Sequence, residues 1–93
     1  MPLNKKNDNT DIKGKLKIFI RNNFLLGDYS KTINDDDSFL EKGIIDSTGV
    51  LELVGFIEET FNIKVEDEEF VPDNLDSLNK LNLYIKKKID YIS

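Results

Sequence analysis

Residues 43–61 read GIIDSTGVLELVGFIEETF, and this stretch decides the fold. After an Asp-Ser pair, apolar residues recur at the three-to-four spacing of a helix that turns one face to a core. These residues are Val50, Leu53, Val54, Ile57 and Phe61. Asp46 has the side-chain oxygen typical of a helix N-cap, and Asn62 can adopt the left-handed conformation that ends a helix. The pattern predicts a helix from about Ser47 to Phe61.

Two further long helices are predicted, one on each side of this segment. The first begins at Asp11, is capped by Asn9 or Thr10, and ends near Gly27. Its apolar side consists of Ile12, Leu16, Phe19, Ile20 and Phe24. The last helix is capped by Asn74 or Asp76. Its apolar side consists of Leu78, Leu81, Ile85, Ile89 and Ile92.

The connections between these helices also contain apolar anchors. Residues 28–46 form a long connection, which a small domain must hold to its core by side chains. The expected anchors there are Phe39, Leu40, Ile44 and Ile45. Ile63 and Val65 anchor the next crossing, residues 66–70 form one turn of helix with Phe70 pointing inward, and Pro72 separates that turn from the last helix. The predicted fold class is all-α, a small four-helix bundle of three longer helices and one short one.

Composition limits what the chain can be. Its 93 residues contain neither cysteine nor histidine, so apolar packing must hold a single domain together without disulfides or thiolate metal sites. We expect residues 1–9 to be a disordered segment and residues 10–93 to be the domain. No apolar stretch resembles a signal peptide or a membrane span, which predicts a cytoplasmic protein.

Charge is concentrated in the middle of the sequence. Residues 32–76 contain two lysines and fourteen Asp or Glu residues, a net charge of −12 within a chain whose total is −5. This block argues against nucleic-acid binding and favours partners with basic surfaces, although a merely solvated acidic surface is the alternative. The chain is expected to act as a monomer.

Enzymatic and metal sites find little support. Ser47 could be a nucleophile, but no histidine exists to remove its proton, and no lysine has the Ser-x-x-Lys spacing. Glu58 and Glu59 are adjacent on a helix and cannot flank one bond. Asp35–Asp37 and Glu41 could form a weak Ca²⁺ or Mg²⁺ site, but they do not match an EF-hand loop, and a solvated loop is favoured. We therefore assign no catalytic residue and no metal.

A second role for Ser47 is that of an acceptor that another enzyme modifies. At the start of this helix the free N–H groups and the dipole favour an attached phosphodiester, and Asp46 fixes the turn that offers the hydroxyl outward. The alternative is that Asp46-Ser47 is an ordinary helix start. Leu51 and Gly55 lie on an edge of the helix that the core does not occupy.

The segment GIIDSTGVLELVGFIEETFNI resembles the acyl carrier protein family, including its peptidyl and aminoacyl carriers. The resemblance implies that Ser47 carries a 4'-phosphopantetheine arm, transferred from coenzyme A by a phosphopantetheinyl transferase, and that Asp46 helps this enzyme recognise the serine. The arm would hold an acyl or aminoacyl thioester, so catalysis would lie in loading and processing enzymes. By position, the residues that the resemblance assigns to partner docking are Thr48, Leu51, Glu52, Gly55, Glu58 and Glu59.

Two departures from the family pattern bear on the pathway. Thr48 and Gly49 follow the serine, where carriers of fatty-acid synthesis usually have leucine and an acidic residue. Together with VPDNLDSL at residues 71–78, this resembles discrete carriers of specialised pathways. The alternatives are a fatty-acid synthesis carrier with the same arm, a helical interaction module without the arm, and, least favoured, a small Ser-dependent hydrolase.

Overall fold

The computed structural model describes residues 11–25 and 33–92. Within these ranges the chain forms four α-helices, three of them long, one 3-10 turn and no strand. The helices are α1 (Ile12–Asn23), α2 (Ser47–Phe61), α3 (Pro72–Leu75) and α4 (Leu78–Ile92), and the 3-10 turn is Asp67–Glu69. The predicted all-α class is confirmed. The predicted disorder of residues 1–9 lies outside the described residues. The ends of α1 differ from the prediction: Asp11, not Asn9 or Thr10, is the N-cap, and the helix ends at Asn23, with Phe24 as its C-cap, before Gly27 is reached.

The core is made by one face of each long helix and by two anchors from the connection between α1 and α2. Apolar side chains that are less than 2% exposed include Ile12, Leu16, Ile20, Phe39, Ile45, Leu53, Ile57, Leu78, Leu81 and Ile85. Burying such a side chain stabilises a fold by about 1.5–3 kcal/mol. The predicted residues Phe19, Phe24, Ile44, Val50, Phe61 and Ile89 pack against this core while half-buried. The apolar stripes of the sequence are therefore confirmed for the long helices as far as Ile89, while the predicted burial of Ile92 lies outside the described side chains.

Aromatic rings join α1 to α2 at the edge of the core. The rings of Phe19 and Phe56 stack with centroids 4.1 Å apart. The ring of Phe24 meets that of Phe19 edge-on, with centroids 5.9 Å apart. The ring of Phe61 meets that of Phe56 in the same way, with centroids 6.4 Å apart. Such pairs contribute about 0.5–1.5 kcal/mol beyond the area that they bury. None of the helices in the described part of the chain is long and apolar enough to cross a membrane.

Helix α2 begins and ends where the sequence predicts. Asp46 has extended backbone angles, and its Oδ1 accepts a hydrogen bond of 2.7 Å from the N–H of Gly49. Asn62 ends the helix with φ 55° and ψ 49°, and its N–H donates to the carbonyl of Glu58. Ile63 and Val65 are buried, as predicted. The Glu58 side chain is half-buried and accepts from the N–H of Val65 at 2.9 Å, so it fixes the exit from the helix.

The start of α4 differs from the prediction. Asn74 and Asp76 are not its cap: Asn74 lies in α3 and donates to the carbonyl of Glu69, while Asp76 ends α3. Ser77 takes the capping position, because its Oγ accepts from the N–H of Lys80 at 3.1 Å. Pro72 also does more than separate two elements, since it is the first residue of α3, where its missing N–H costs nothing.

Glu69 ties the 3-10 turn to α4. Its Oε1 accepts three hydrogen bonds of 2.9 Å, from the N–H of Glu66, the hydroxyl of Tyr84 and the ammonium of Lys88. These hydrogen bonds hold the pKa of Glu69 below its usual value. The bond from the Glu66 N–H has the largest effect, that from Lys88 a smaller one and that from Tyr84 the smallest. Burial, with Glu69 beside it, raises the pKa of Tyr84. The contribution of Glu69 to stability is therefore present above the usual glutamate pKa and is lost as pH falls through the lowered one.

Two glycines with opposite environments allow a matched test of this fold. Gly43 has φ 68°, a conformation that costs a residue with a side chain about 1–2 kcal/mol. Gly55 lies exposed in the middle of α2 with no atom within 4 Å of an added methyl group, so alanine there should stabilise by about 0.5–1 kcal/mol. We expect Gly43→Ala to lower Tm and Gly55→Ala to raise it, by about 4–8 °C per kcal/mol. Thermal unfolding followed by circular dichroism measures both, and a stabilised Gly43→Ala variant would contradict the turn geometry.

Candidate functional site

Ser47 is the first residue of α2 and is exposed. Within residues 11–25 and 33–92 its hydroxyl makes no hydrogen bond, whereas Asp46 beside it is engaged in capping. At any helix start the first N–H groups have no acceptor within the helix. In the first turn of α2 the Asp46 side chain accepts from the N–H of Gly49, and the other N–H groups are left without a helical acceptor. The site thus presents a primary hydroxyl at the positive end of a helix dipole.

A closed hydrogen-bonded loop leads to this serine. The carbonyl of Phe39 accepts from the N–H groups of Ile44 and Ile45, at 2.9 and 3.3 Å. Gly43 makes the tight turn between them possible, and its own N–H donates to the carbonyl of Leu40 at 3.2 Å. Ile45 is 1% exposed and directly precedes Asp46, so the core holds the chain immediately before the serine.

Asp76 holds the other end of this loop. Its carboxylate accepts from the Ser38 hydroxyl through Oδ2 and from the Leu40 N–H through Oδ1, the latter at 3.1 Å. Its backbone carbonyl accepts from the N–H of Phe39 at 2.9 Å. Ser38 Oγ in turn accepts from the N–H of Glu41. The α3–α4 junction is therefore bound to the loop that precedes Ser47. Sequence reasoning missed this role; the only signal was another Asp-Ser pair directly before a helix, at residues 76 and 77.

An open, largely apolar cleft of about 190 Å³ lies beside Ser47. It is lined by Leu40, Ser47, Val50, Phe70, Val71, Pro72, Leu75 and Asp76. The predictions that Leu40 and Phe70 point into the core are wrong, because these side chains are 46% and 37% exposed. They line the cleft instead, because contacts with residues distant in sequence position them. Asp76 fixes the loop at Leu40. Phe70 follows the 3-10 turn that Glu69 holds against α4.

The predicted docking residues divide into two groups. Thr48, Glu52, Gly55 and Glu59 are exposed and recur at helical spacing on α2, and Leu51 beside them is 62% exposed. Glu58 does not belong with them, since its carboxylate is half-buried and bound to the N–H of Val65. The structure thus places a short apolar and acidic edge on α2, from the serine to the middle of the last turn.

Gly49 lies in the first turn of α2, where a glycine on its own weakens a helix. It is buried, and a methyl group added there would lie 2.8 Å from Cε1 of Phe24 and 3.0 Å from Cγ2 of Ile45. The absence of a side chain lets the first turn of α2 approach α1 and the residue that precedes the cap. Gly49 therefore helps to seat the turn that carries Ser47.

The three aspartates of the connection have protein partners. Asp35 pairs with Lys13 at 3.0 Å and with Lys17 at 3.7 Å, Asp36 accepts from Asn79, and Asp37 accepts from the N–H of Asn34. The hydrogen bond from Lys13, partly opposed by desolvation, holds the pKa of Asp35 below its usual value. In the described ranges no three acidic, histidine or cysteine side chains are grouped to hold a metal ion.

Comparison with known proteins locates this site within a family. The family model described as "Phosphopantetheine attachment site" matches residues 25–85, which include the loop, Ser47, the cleft and most of α4. Curated relatives include the D-alanyl carrier proteins of Streptococcus pyogenes serotypes M5, M49 and M1. Each is 39% identical over 46 residues, which is 50% of this chain and 58% of the relative. No solved structure is significantly similar to the chain.

Proposed function

The chain belongs to the phosphopantetheine attachment family, and from that premise we propose that Ser47 bears the 4'-phosphopantetheine arm. As a member of this family the domain is a carrier and not itself an enzyme. When bound, the arm supplies the thiol that holds cargo as a thioester, which explains how a chain without cysteine can take part in such chemistry. The observation that supports Ser47 most directly is its free, exposed hydroxyl at the start of α2.

The residues around Ser47 fit such a group. The hydroxyl is accessible, the unpaired N–H groups of the first turn of α2 favour a phosphodiester, and an apolar cleft adjoins the attachment point. Asp46 keeps the turn closed through Gly49 and thereby orients the serine outward. By contrast, Ser77 follows an aspartate in the same way but is 3% exposed and serves as a cap, so it cannot accept a group without unfolding.

Attachment requires a base from the partner enzyme. The Ser47 oxygen forms a bond to the β-phosphorus of coenzyme A, the bond from that phosphorus to the oxygen of 3',5'-ADP breaks, and the hydroxyl proton passes to a base of the transferase. The chain has no histidine, the usual base for a serine hydroxyl, which agrees with a substrate role for this hydroxyl. The chain's contribution is to present the oxygen in a fixed position.

We expect Ser47→Ala to abolish the modification and to leave the fold intact, because the side chain is exposed and makes no described hydrogen bond. The measurement is the intact mass after incubation with coenzyme A and a broad-specificity phosphopantetheinyl transferase. Thr60→Ala is the matched control, since it removes another exposed hydroxyl of α2, in the last turn and outside the proposed partner surface, and should still gain one phosphopantetheine. Labelling of Ser47→Ala, or an unlabelled wild type beside an active transferase, would refute the assignment.

The cargo that we propose is a small acyl or aminoacyl group of a specialised pathway. The relatives named above are D-alanyl carriers, the cleft beside Ser47 holds only about 190 Å³, and the core is closed by side chains that are almost completely buried. Pockets that enclose drug-sized ligands are typically about 300–1,000 Å³. A fatty-acid synthesis carrier would need to shelter a much longer chain, and it remains the alternative.

The cargo proposal predicts that a long acyl chain gains no shelter. Each buried methylene contributes about 0.8 kcal/mol, so sequestering a dodecanoyl chain would raise Tm by more than about 10 °C. We expect the Tm values of the proteins loaded from acetyl-coenzyme A and from dodecanoyl-coenzyme A to differ by only a few degrees. Hydroxylamine should cleave the two thioesters equally fast. A strongly stabilised, hydroxylamine-resistant dodecanoyl form would favour the fatty-acid alternative.

The exposed edge of α2 is the partner surface that we propose. The transferase and the loading enzymes would contact this edge through basic surfaces. The contacted residues would be Thr48, Leu51, Glu52, Gly55 and Glu59. Acidic residues around an apolar contact accelerate encounter with such partners and still permit release. Glu58 is left out because its carboxylate already has a structural partner. A cytoplasmic monomer that does not bind nucleic acid remains the prediction from the sequence.

Reversing one charge on this edge tests the surface. We expect Glu52→Lys to lower kcat/KM for phosphopantetheinylation at low salt, with a smaller effect at 0.5 M salt because screening removes the attraction. Glu68→Lys is the matched control, since it makes the same charge change at an exposed residue of the 3-10 turn, outside the edge of α2. Equal rates for the two variants at low salt, with unchanged Tm, would count against docking at this edge.

A further inference from the structure

We propose that Asp76 is a positioning residue for the modification of Ser47, an inference that rests on the proposed function. Asp76 lies 29 positions after the serine but lines the same cleft. It holds the loop that ends at Ser47, and it does so with both its carboxylate and its backbone carbonyl.

The contacts of Asp76 are those of a clamp and not of a surface charge. Three groups donate to it, namely the Ser38 hydroxyl and the N–H groups of Phe39 and Leu40. The donors belong to a segment without helix or strand, whose N–H groups otherwise have no regular acceptors. Two of these bonds go to the carboxylate, and hydrogen bonds to such an acceptor are stronger than those between neutral groups, so the clamp fixes this segment.

The fixed segment is continuous with the serine. The backbone carbonyl of Asp76 accepts from the N–H of Phe39. The carbonyl of Phe39 accepts in turn from the N–H groups of Ile44 and Ile45. Ile45 is buried, and the next residue, Asp46, caps α2 through Gly49. A displacement of residues 38–40 therefore shifts the N-terminal turn of α2, unless one of these hydrogen bonds breaks.

This linkage sets the position of the Ser47 oxygen relative to the cleft wall. Leu75, directly before Asp76, and Val50 of α2 both line the cleft, so the clamp joins its two sides. A transferase that binds over the serine contacts a hydroxyl whose position depends on the α3–α4 junction. Misplacing a reacting atom by about 1 Å can reduce a rate about a hundredfold.

The test compares Asp76→Ala with Glu69→Ala. Both remove a carboxylate that binds several donors near α3 and α4, but only Asp76 holds the loop. At a temperature where both variants are folded, we expect Asp76→Ala to lower kcat for phosphopantetheinylation about ten- to a hundredfold. Glu69→Ala should stay within about twofold of the wild type, since the main-chain carbonyl that accepts from Asn74 is retained and the Ser38 hydroxyl and Leu40 N–H keep their acceptor, Asp76. Asp76→Asn retains an acceptor for the Leu40 N–H and should restore most of the rate.

Amide hydrogen exchange on the unmodified protein provides a readout that needs no transferase. Asp76→Ala should accelerate exchange at Ile44, Ile45 and Gly49 relative to the core of α4, and Glu69→Ala should not. Ser38→Ala removes a single bond of the clamp and serves if Asp76→Ala fails to fold; it should show the same pattern to a smaller degree. Unchanged exchange at these three amides, or equal kcat for the Asp76 and Glu69 variants, overturns the inference. An unmodified wild type would instead contradict the proposed function.

Discussion

The structure depends on one constraint, that the N–H groups of an irregular segment must find acceptors although no strand or helix provides them. Asp76 satisfies this constraint for Phe39 and Leu40, and the carbonyl of Phe39 satisfies it for Ile44 and Ile45. With these bonds in place, the connection before α2 has a single path. The serine that follows is exposed and yet fixed, which is the combination that a modification site requires.

The sequence contains two Asp-Ser pairs before helices, and their roles are exchanged. In the first pair, Asp46 caps α2 and Ser47 is exposed; in the second, Ser77 caps α4 and Asp76 binds a distant loop. The bounds of α2 could be predicted because a cap, an apolar stripe and Asn62 are all local signals. Three other features could not be predicted, because each depends on residues that are distant in sequence or on the path of the chain after a helix. They are the role of Asp76, the exposure of Leu40 and Phe70, and the hydrogen bond from the N–H of Val65 to Glu58.

Charge follows a similar division between local and distant effects. The basic ends of the chain are partly neutralised within the molecule, because Lys13 and Lys17 pair with Asp35 and Lys88 pairs with Glu69. Within the described residues, Glu52 and Glu59 have no such ion pair. The net charge of the middle segment therefore overstates what a partner meets. The acidic residues that stay exposed without an ion pair in the described ranges include Glu52 and Glu59 on α2, and Asp67, Glu68 and Asp73 in the 3-10 turn and α3.

Helix α3 consists of four residues, too few to be stable in isolation. It exists because Glu69, Asn74 and the start of α4 hold it, and it forms one wall of the cleft. A wall of this kind can melt at a free-energy cost well below that of unfolding the whole domain. Because Asp76 ends this helix, such melting would loosen the clamp on the serine loop at the same time. The wall and the loop would then behave as one subglobal unit, which a bound enzyme could select in either state without disturbing the three long helices.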